Sequence, residues 1–285
     1  HQDMNIVADV GYQQYVEERS SVDDANGIKP TEYDVISFNA AVTSRWNKAS
    51  LSFGGRLHQF DYDDVSSSSA TINNDDRDRD EIQWSLRGGY EFLPQYEAFI
   101  QLVRTVINYN DPVDDNGVDR DNDGFEIRLG TRIDVTGILY GDVFVGYISR
   151  DYDDSSLKQV EAVSAGMQLT WNVTRLTSVT AVIQRDISET TLASAGGNFS
   201  TSINASVDHE LLRNLILFGR ASFTKDEFEG TTREDESTRA GFGTKYLLNR
   251  YLHLIIDYQH AKRESTAVNS DYSKNIFSLK IRAQL

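Results

Sequence analysis

The sequence predicts an all-β protein: a single transmembrane, antiparallel up-and-down β-barrel of about fourteen strands, one domain over residues 1–285, with short turns at one end and long acidic loops at the other. Three observations predict it. The closing stretch FSLKIRAQL alternates apolar Phe277, Leu279, Ile281, Ala283 and Leu285 with polar Ser278, Lys280, Arg282 and Gln284. Strand side chains point alternately to opposite faces, so this segment has one apolar and one wet face, as a barrel wall between lipid and a polar lumen requires. The connections alternate regularly between short and long. Finally, no apolar run is long enough for a transmembrane helix, and three prolines with 14 tyrosines and 13 phenylalanines suit long uninterrupted strands.

Taken in order, the first strand is expected over residues 5–16, followed by a long polar link, 17–33. Strands over 34–46 and 49–62 flank the short link 47–48, and a long link, 63–78, follows. The fourth strand, 79–92, sets Ile82, Trp84, Leu86, Gly88, Tyr90 and Phe92 against Gln83, Ser85, Arg87, Gly89 and Glu91. After the short link 93–95 comes the fifth, 96–109, whose polar face is interrupted by Phe99 and Val103; the long link is 110–123. The sixth, 124–135, alternates Phe125, Ile127, Leu129, Thr131, Ile133 and Val135 with Glu126, Arg128, Gly130, Arg132 and Asp134. Beyond the short link 136–137 lie 138–150, the long link 151–158, and 159–172. The short link 172–175 leads to 176–189, the long link 190–198 and the strand 199–211. The short link 212–214 then leads to 215–227, the long link 228–236 and the strand 237–248. Last come the short link 249–250, the strand 251–263, the long link 264–273 and the closing strand 274–285. Short links thus follow every even-numbered strand, which places both chain ends on the periplasmic side and the long loops outside.

Aromatic residues agree with this plan. Trp46, Tyr90, Phe92, Trp171, Tyr246 and Tyr251 stand at or near the short-turn ends, where an interfacial girdle belongs. Leu86, Leu129, Phe242, Leu252, Leu254, Leu279 and Ile281 are expected on the lipid face. A net charge of −16 argues against a nucleic-acid partner, and the absence of cysteine removes disulfides, thiolate metal sites and cysteine nucleophiles. No secretory leader is visible, so an exported protein would begin at His1 after its removal.

The stretches GYISRDYDDSS, LTWNVTRLTSVTAVIQRDISETT, HELLRNLILFGRASFTKDEFEG and KYLLNRYLHLIIDYQHAKRES resemble the outer-membrane β-barrel group called Putative β-barrel porin 2. These are turn and strand signatures and carry architecture more than activity. The resemblance implies a channel-like barrel in the outer membrane of a Gram-negative bacterium, in contact with lipid and lipopolysaccharide. It also implies polysaccharide export, with periplasmic export proteins as partners, as one setting. The terminal strand resembles the signal read by outer-membrane assembly machinery, although such strands usually end in Phe and this one ends in Leu285.

Cations on the inward phase gather along the strands as Arg56, Arg87, Arg128, Arg220, Arg239, Lys245, Lys280 and Arg282. Inward carboxylates are expected at Glu91, Asp134, Asp142, Asp208 and Glu210, with Glu126, Glu161 and Asp257 elsewhere. Two readings of the belt stand side by side: selection of anionic solutes or an acidic polymer, and cross-strand pairing that rigidifies the wall. In the acidic link after the fifth strand, Asp119, Asp121, Asp123 and Gly124 have the D-x-D-x-D-G spacing of a weak Ca²⁺ site, without the later bidentate Glu, since Gly130 takes that place; the other reading is a solvated acidic loop, or one neutralised by divalent ions shared with lipopolysaccharide. No other cofactor is implied. The histidines His1, His58, His209, His253 and His260 lack metal-ligand spacing, and no serine, histidine and acid grouping is evident, so an enzyme is not expected. The function classes left are a channel and a structural or partner-anchoring barrel with a plugged lumen.

Overall fold

A computed structural model describes residues 2–284 except 18–20, 22, 24–26, 69, 136, 191, 193–194 and 269. His1 and the closing Leu285 therefore lie outside the described residues, as does Thr136 of one short turn. The strands are β1 (Gln2–Val16), β2 (Glu32–Trp46), β3 (Ala49–Tyr62), β4 (Val65–Ser66), β5 (Thr71–Ile72), β6 (Arg79–Leu93), β7 (Tyr96–Tyr109) and β8 (Asn122–Val135). They continue as β9 (Leu139–Tyr152), β10 (Val160–Thr174), β11 (Thr177–Ser188), β12 (Asn198–Leu212), β13 (Leu215–Phe228), β14 (Glu234–Leu247), β15 (Leu252–Ser265) and β16 (Tyr272–Ala283). Apart from the small β4–β5 hairpin in one loop, they form a single 14-stranded sheet in which every strand pairs with its sequence neighbours. All fourteen expected strands are present, with ends displaced by at most a few residues.

The alternation read from the sequence becomes two faces of one sheet. On the convex face Leu129, Phe242, Leu279 and Ile281 are 57 %, 65 %, 70 % and 71 % exposed, so no second sheet covers them. Trp46, Tyr90, Phe92, Trp171, Tyr246 and Tyr251 are likewise exposed near the short turns. Three of those turns are tight because Asn47, Gln95 and Gly137 take left-handed conformations (φ 53°, 74° and 70°), which lets the chain reverse within two or three residues.

The opposite face is concave. Arg45 of β2 reaches Glu97 of β7 at 3.1 Å, and Arg87 of β6 reaches Asp142 of β9 at 2.6 Å, in each case past two intervening strands. One cavity at the long-loop end is lined by both Tyr15 of β1 and Tyr272 of β16, so the sheet curls until its edges face a common space. Among the described residues each edge strand has one hydrogen-bonded neighbour, β2 for β1 and β15 for β16.

One inward residue expected from the sequence is corrected. Ser164 of β10 donates to Glu126 at 2.6 Å, which fixes the even-numbered residues of this part of β10 on the concave face. Glu161 falls on the convex face, bonded to the Tyr147 hydroxyl. The register of β7 stands as read: Phe99 and Val103 do point inward, each 5 % exposed.

Candidate functional site

The concave face divides into two arcs of different character. From β2 to β9 several of its charges are paired, Arg56 of β3 standing apart. Arg45, Glu97, Arg87, Asp142 and Arg132 form one chain of contacts near the short turns, at 3.1, 3.8, 2.6 and 2.9 Å in that order. Arg128 pairs with Glu126 at 2.5 Å. Two of these arginines also lie over aromatic rings, Arg87 3.5 Å from the Phe99 centroid and Arg128 4.6 Å from that of Phe144. The rings lie flat because the wall beneath them lacks side chains. A Cβ at Gly130 would come within 2.5 Å of Phe99, and one at Gly166 would overlap the Phe144 ring.

From β11 to β16 the face is open and cationic. A cavity of about 870 Å³ is lined there by Arg175, Arg220, Arg239, Lys245, Lys280 and Arg282, against three carboxylates, Asp208, Glu210 and Asp257. Cross-strand register explains the clustering. Lys245 and Lys280 share one row, with Ile255 between them, and Arg282 stands opposite His253 one row nearer the short turns. Lys280 reaches Asp257 at 3.5 Å. Arg220, Lys245 and Arg282 have no ion-pair partner among the described residues, and Arg220 rests 4.9 Å from the Phe218 ring centroid. Arg56, exposed on β3, lies apart from this group beside two smaller cavities. Five of the eight expected belt residues therefore come together in one cavity, while Arg87 and Arg128 belong to the paired arc.

Long loops bridge the mouth above the paired arc. Arg120, in the β7–β8 loop, is buried against Asp114 (2.7 Å) and donates to the carbonyl oxygens of Thr190, Ala195 and Leu192 at 2.7, 3.1 and 3.4 Å. Burial alone would raise the Asp114 carboxyl, but the Val118 amide, the Arg120 guanidinium and the Asn116 amide outweigh it and hold Asp114 below the usual carboxylate range. Thr190 also donates to Asp23 of the β1–β2 loop at 2.9 Å. Deeper in, Glu189 collects Arg150, the Tyr109 hydroxyl (3.2 Å) and Asn122 (3.2 Å).

The expected calcium ligands are not gathered by this arrangement. Asp123 already belongs to β8 and pairs with Arg104 at 2.5 Å, Asp121 accepts the Tyr109 amide at 2.6 Å, and Asp119 accepts the Asp121 amide at 3.0 Å. Among the described residues no three acidic or histidine side chains surround a common point. Residues that sequence reasoning missed are Arg120, Glu189, Arg132 and Arg175. The first two act through loops that close only in three dimensions. The inward-phase glycines 130 and 166 were the legible sign that rings lie across the wall.

Comparison with known proteins fits this architecture. In fold the chain is similar to the iron transporter FrpB of Neisseria meningitidis (TM-score 0.54, 9 % identity, 95 % of this chain and 52 % of that one). It is similar also to the alcaligin outer-membrane receptor FauA of Bordetella pertussis (TM-score 0.52, 12 % identity, 99 % and 55 %). It spans about half the length of these proteins, and at such identity the likeness concerns the fold alone. No curated protein matches the sequence. A family model does match, over residues 1–285, and by it the chain belongs to the family described as Putative beta-barrel porin 2.

Proposed function

We propose that the protein is a channel of the Gram-negative outer membrane, its fourteen strands forming barrel wall and its concave face lining a lumen that favours anions. The family and the outward apolar face with its aromatic girdle support the membrane setting. In hydrocarbon a bare strand edge needs a ladder partner or other cover, so β1 and β16 are not left open to lipid in the working wall. One observation carries the anion preference: the 870 Å³ cavity holds six cations to three carboxylates although the whole chain is at −16. The acidic surplus sits largely in loops facing bulk water, where it is screened within about 8 Å; wall charges backed by lipid are screened less. Anionic solutes, acidic polymers included, are the substrate class. Lipopolysaccharide, the outer-membrane assembly machinery and periplasmic export proteins are the proposed partners.

A plugged, partner-anchoring barrel is the second reading, favoured by the loops that Arg120 ties over the mouth. Single-channel recording in planar bilayers separates the two. Discrete ion conductance supports the channel, and electrically silent insertion of folded protein rejects it.

A further inference from the structure

The β10–β11 ladder stops early. Its register runs from Thr174–Thr177 up to Ala165–Arg185 and ends there, although β10 continues paired with β9 to Val160–Arg150 and β11 continues paired with β12 to Ser188–Asn198. Val160–Ser164 thus have no ladder partner on the β11 side among the described residues, a gap roughly 15 Å tall at the usual strand rise. The cause is visible just above it. Glu189, the residue after β11, is bound by Arg150, Tyr109 and Asn122 on β9, β7 and β8, which draws the end of β11 across the concave face and away from β10. The Ile187 amide is taken by the Asp186 carboxylate at 2.8 Å.

What fills the opening is apolar. Ile148, Val160 and Ile187 are 6 %, 1 % and 6 % exposed and pack together with Tyr152, Ala162 and Phe199. Ile148 and Ile187 also line a cavity of about 290 Å³ that extends along the concave face to Arg56. On the other side of the wall the neighbouring Val163 is 67 % exposed. An apolar plug in a polar lumen face, at a stretch of unzipped ladder away from the β1 and β16 edges, matches an occupant arriving from lipid rather than from water. Bare strand edges are tolerated in a bilayer only where protein, water or a solute covers them.

We infer that the β10–β11 gap is a lateral port between the lumen and the outer leaflet, closed here by the Ile148–Val160–Ile187 cluster, and that it admits alkyl chains of apolar or amphiphilic molecules. The inference rests on the membrane setting but not on the anion preference. Because the chain has no cysteine, single cysteines can be labelled with bimane in the full protein, reconstituted in phosphatidylcholine liposomes whose acyl chains carry bromine. Ala162→Cys and Val160→Cys report the port, Leu129→Cys the lipid face, and Ser222→Cys the lumen away from the gap. Ala162 and Val160 are on the concave face, so bromine reaches them only through the wall. The expected result is quenching at residue 162 or 160 well above that at 222 and approaching that at 129. Quenching at 129 with residues 162 and 160 no higher than 222 overturns the port and leaves the membrane setting standing. Loss of quenching at 129 as well overturns both.

Discussion

Replacing Arg220, Lys245 and Arg282 together by Gln removes half of the cations from the large cavity without orphaning a carboxylate, since none of the three has an ion-pair partner among the described residues. A sphere of 870 Å³ has a radius of about 6 Å, so an ion at its centre feels each wall charge with about 0.7 kcal/mol even at the dielectric constant of water. Three charges give about 2 kcal/mol, reduced to about 1 kcal/mol by screening over a Debye length of about 8 Å. Anion occupancy should therefore fall about fivefold, and cation occupancy should rise by a similar factor. Reversal potentials across a KCl gradient in planar bilayers measure this directly: the native channel should prefer Cl⁻ and the triple variant should move strongly toward K⁺. Arg128→Gln with Glu126→Gln is the informative control, because it removes a paired cation together with its carboxylate and leaves the net charge of the wall unchanged. That pair should cost stability and leave selectivity nearly unchanged. A native channel that prefers K⁺, with no response to the triple substitution, would refute the argument that charge location outweighs charge total.

Four further outcomes are expected. Leu86→Arg places a cation on the lipid face and should cost about 2–4 kcal/mol if residue 86 lies near the midplane, read as a lower denaturant midpoint for refolding into liposomes. Arg120→Ala strands Asp114 and should destabilise the loop cap by about 3–5 kcal/mol, seen as proteolysis within 111–121 and 190–198 while the strand signal in circular dichroism persists. Burial, with Asp61, Asp75 and Asp111 nearby, raises the Asp78 carboxyl to about 6 against the lowering effect of the Tyr62 amide it accepts. A raised carboxylate favours the folded loop at low pH: that contribution is full below about 4 and is lost as pH rises through about 6, so Tyr62 amide exchange should accelerate over that window and Asp78→Asn, which keeps an acceptor, should flatten the change. Calorimetric Ca²⁺ titration should be the same for the native protein and for the variant with Asp119, Asp121 and Asp123 all changed to Asn, since these side chains are already engaged elsewhere.

Strand number, order and facing were legible because a period of two constrains every residue of a wall with lipid on one side; Leu279 and Lys280 are sorted by parity alone. Arg239, Lys245, Lys280 and Arg282 were legible as inward for the same reason. Their grouping into one cavity was not, because parity says nothing about which strands bear carboxylates within reach of a given arginine. Glu161 shows the limit from the other side: the β9–β10 register is unbroken from Val160 to Trp171, so parity sets Glu161 on the outward face with Val163 and Trp171, and its charge alone suggested the lumen. The bend of β11 was beyond any periodicity argument. It depends on Glu189 meeting Arg150, Tyr109 and Asn122, residues 39, 80 and 67 positions away in sequence.

The glycines under Phe99 and Phe144 bear on how such a wall can diverge among relatives. At Gly166 an added methyl group would meet the Phe144 ring and push it off the wall into the enclosed space, adding no charge, whereas at Gly130 it would also strike the Val143 carbonyl oxygen at 2.3 Å. The cations proposed to set ion preference stand on other strands, chiefly β13 to β16. On the proposed channel function, size cut-off and charge preference would thus depend on separate parts of the wall. A lineage can alter one by a single small-to-large exchange and the other by a single loss of charge, with neither change constraining the other.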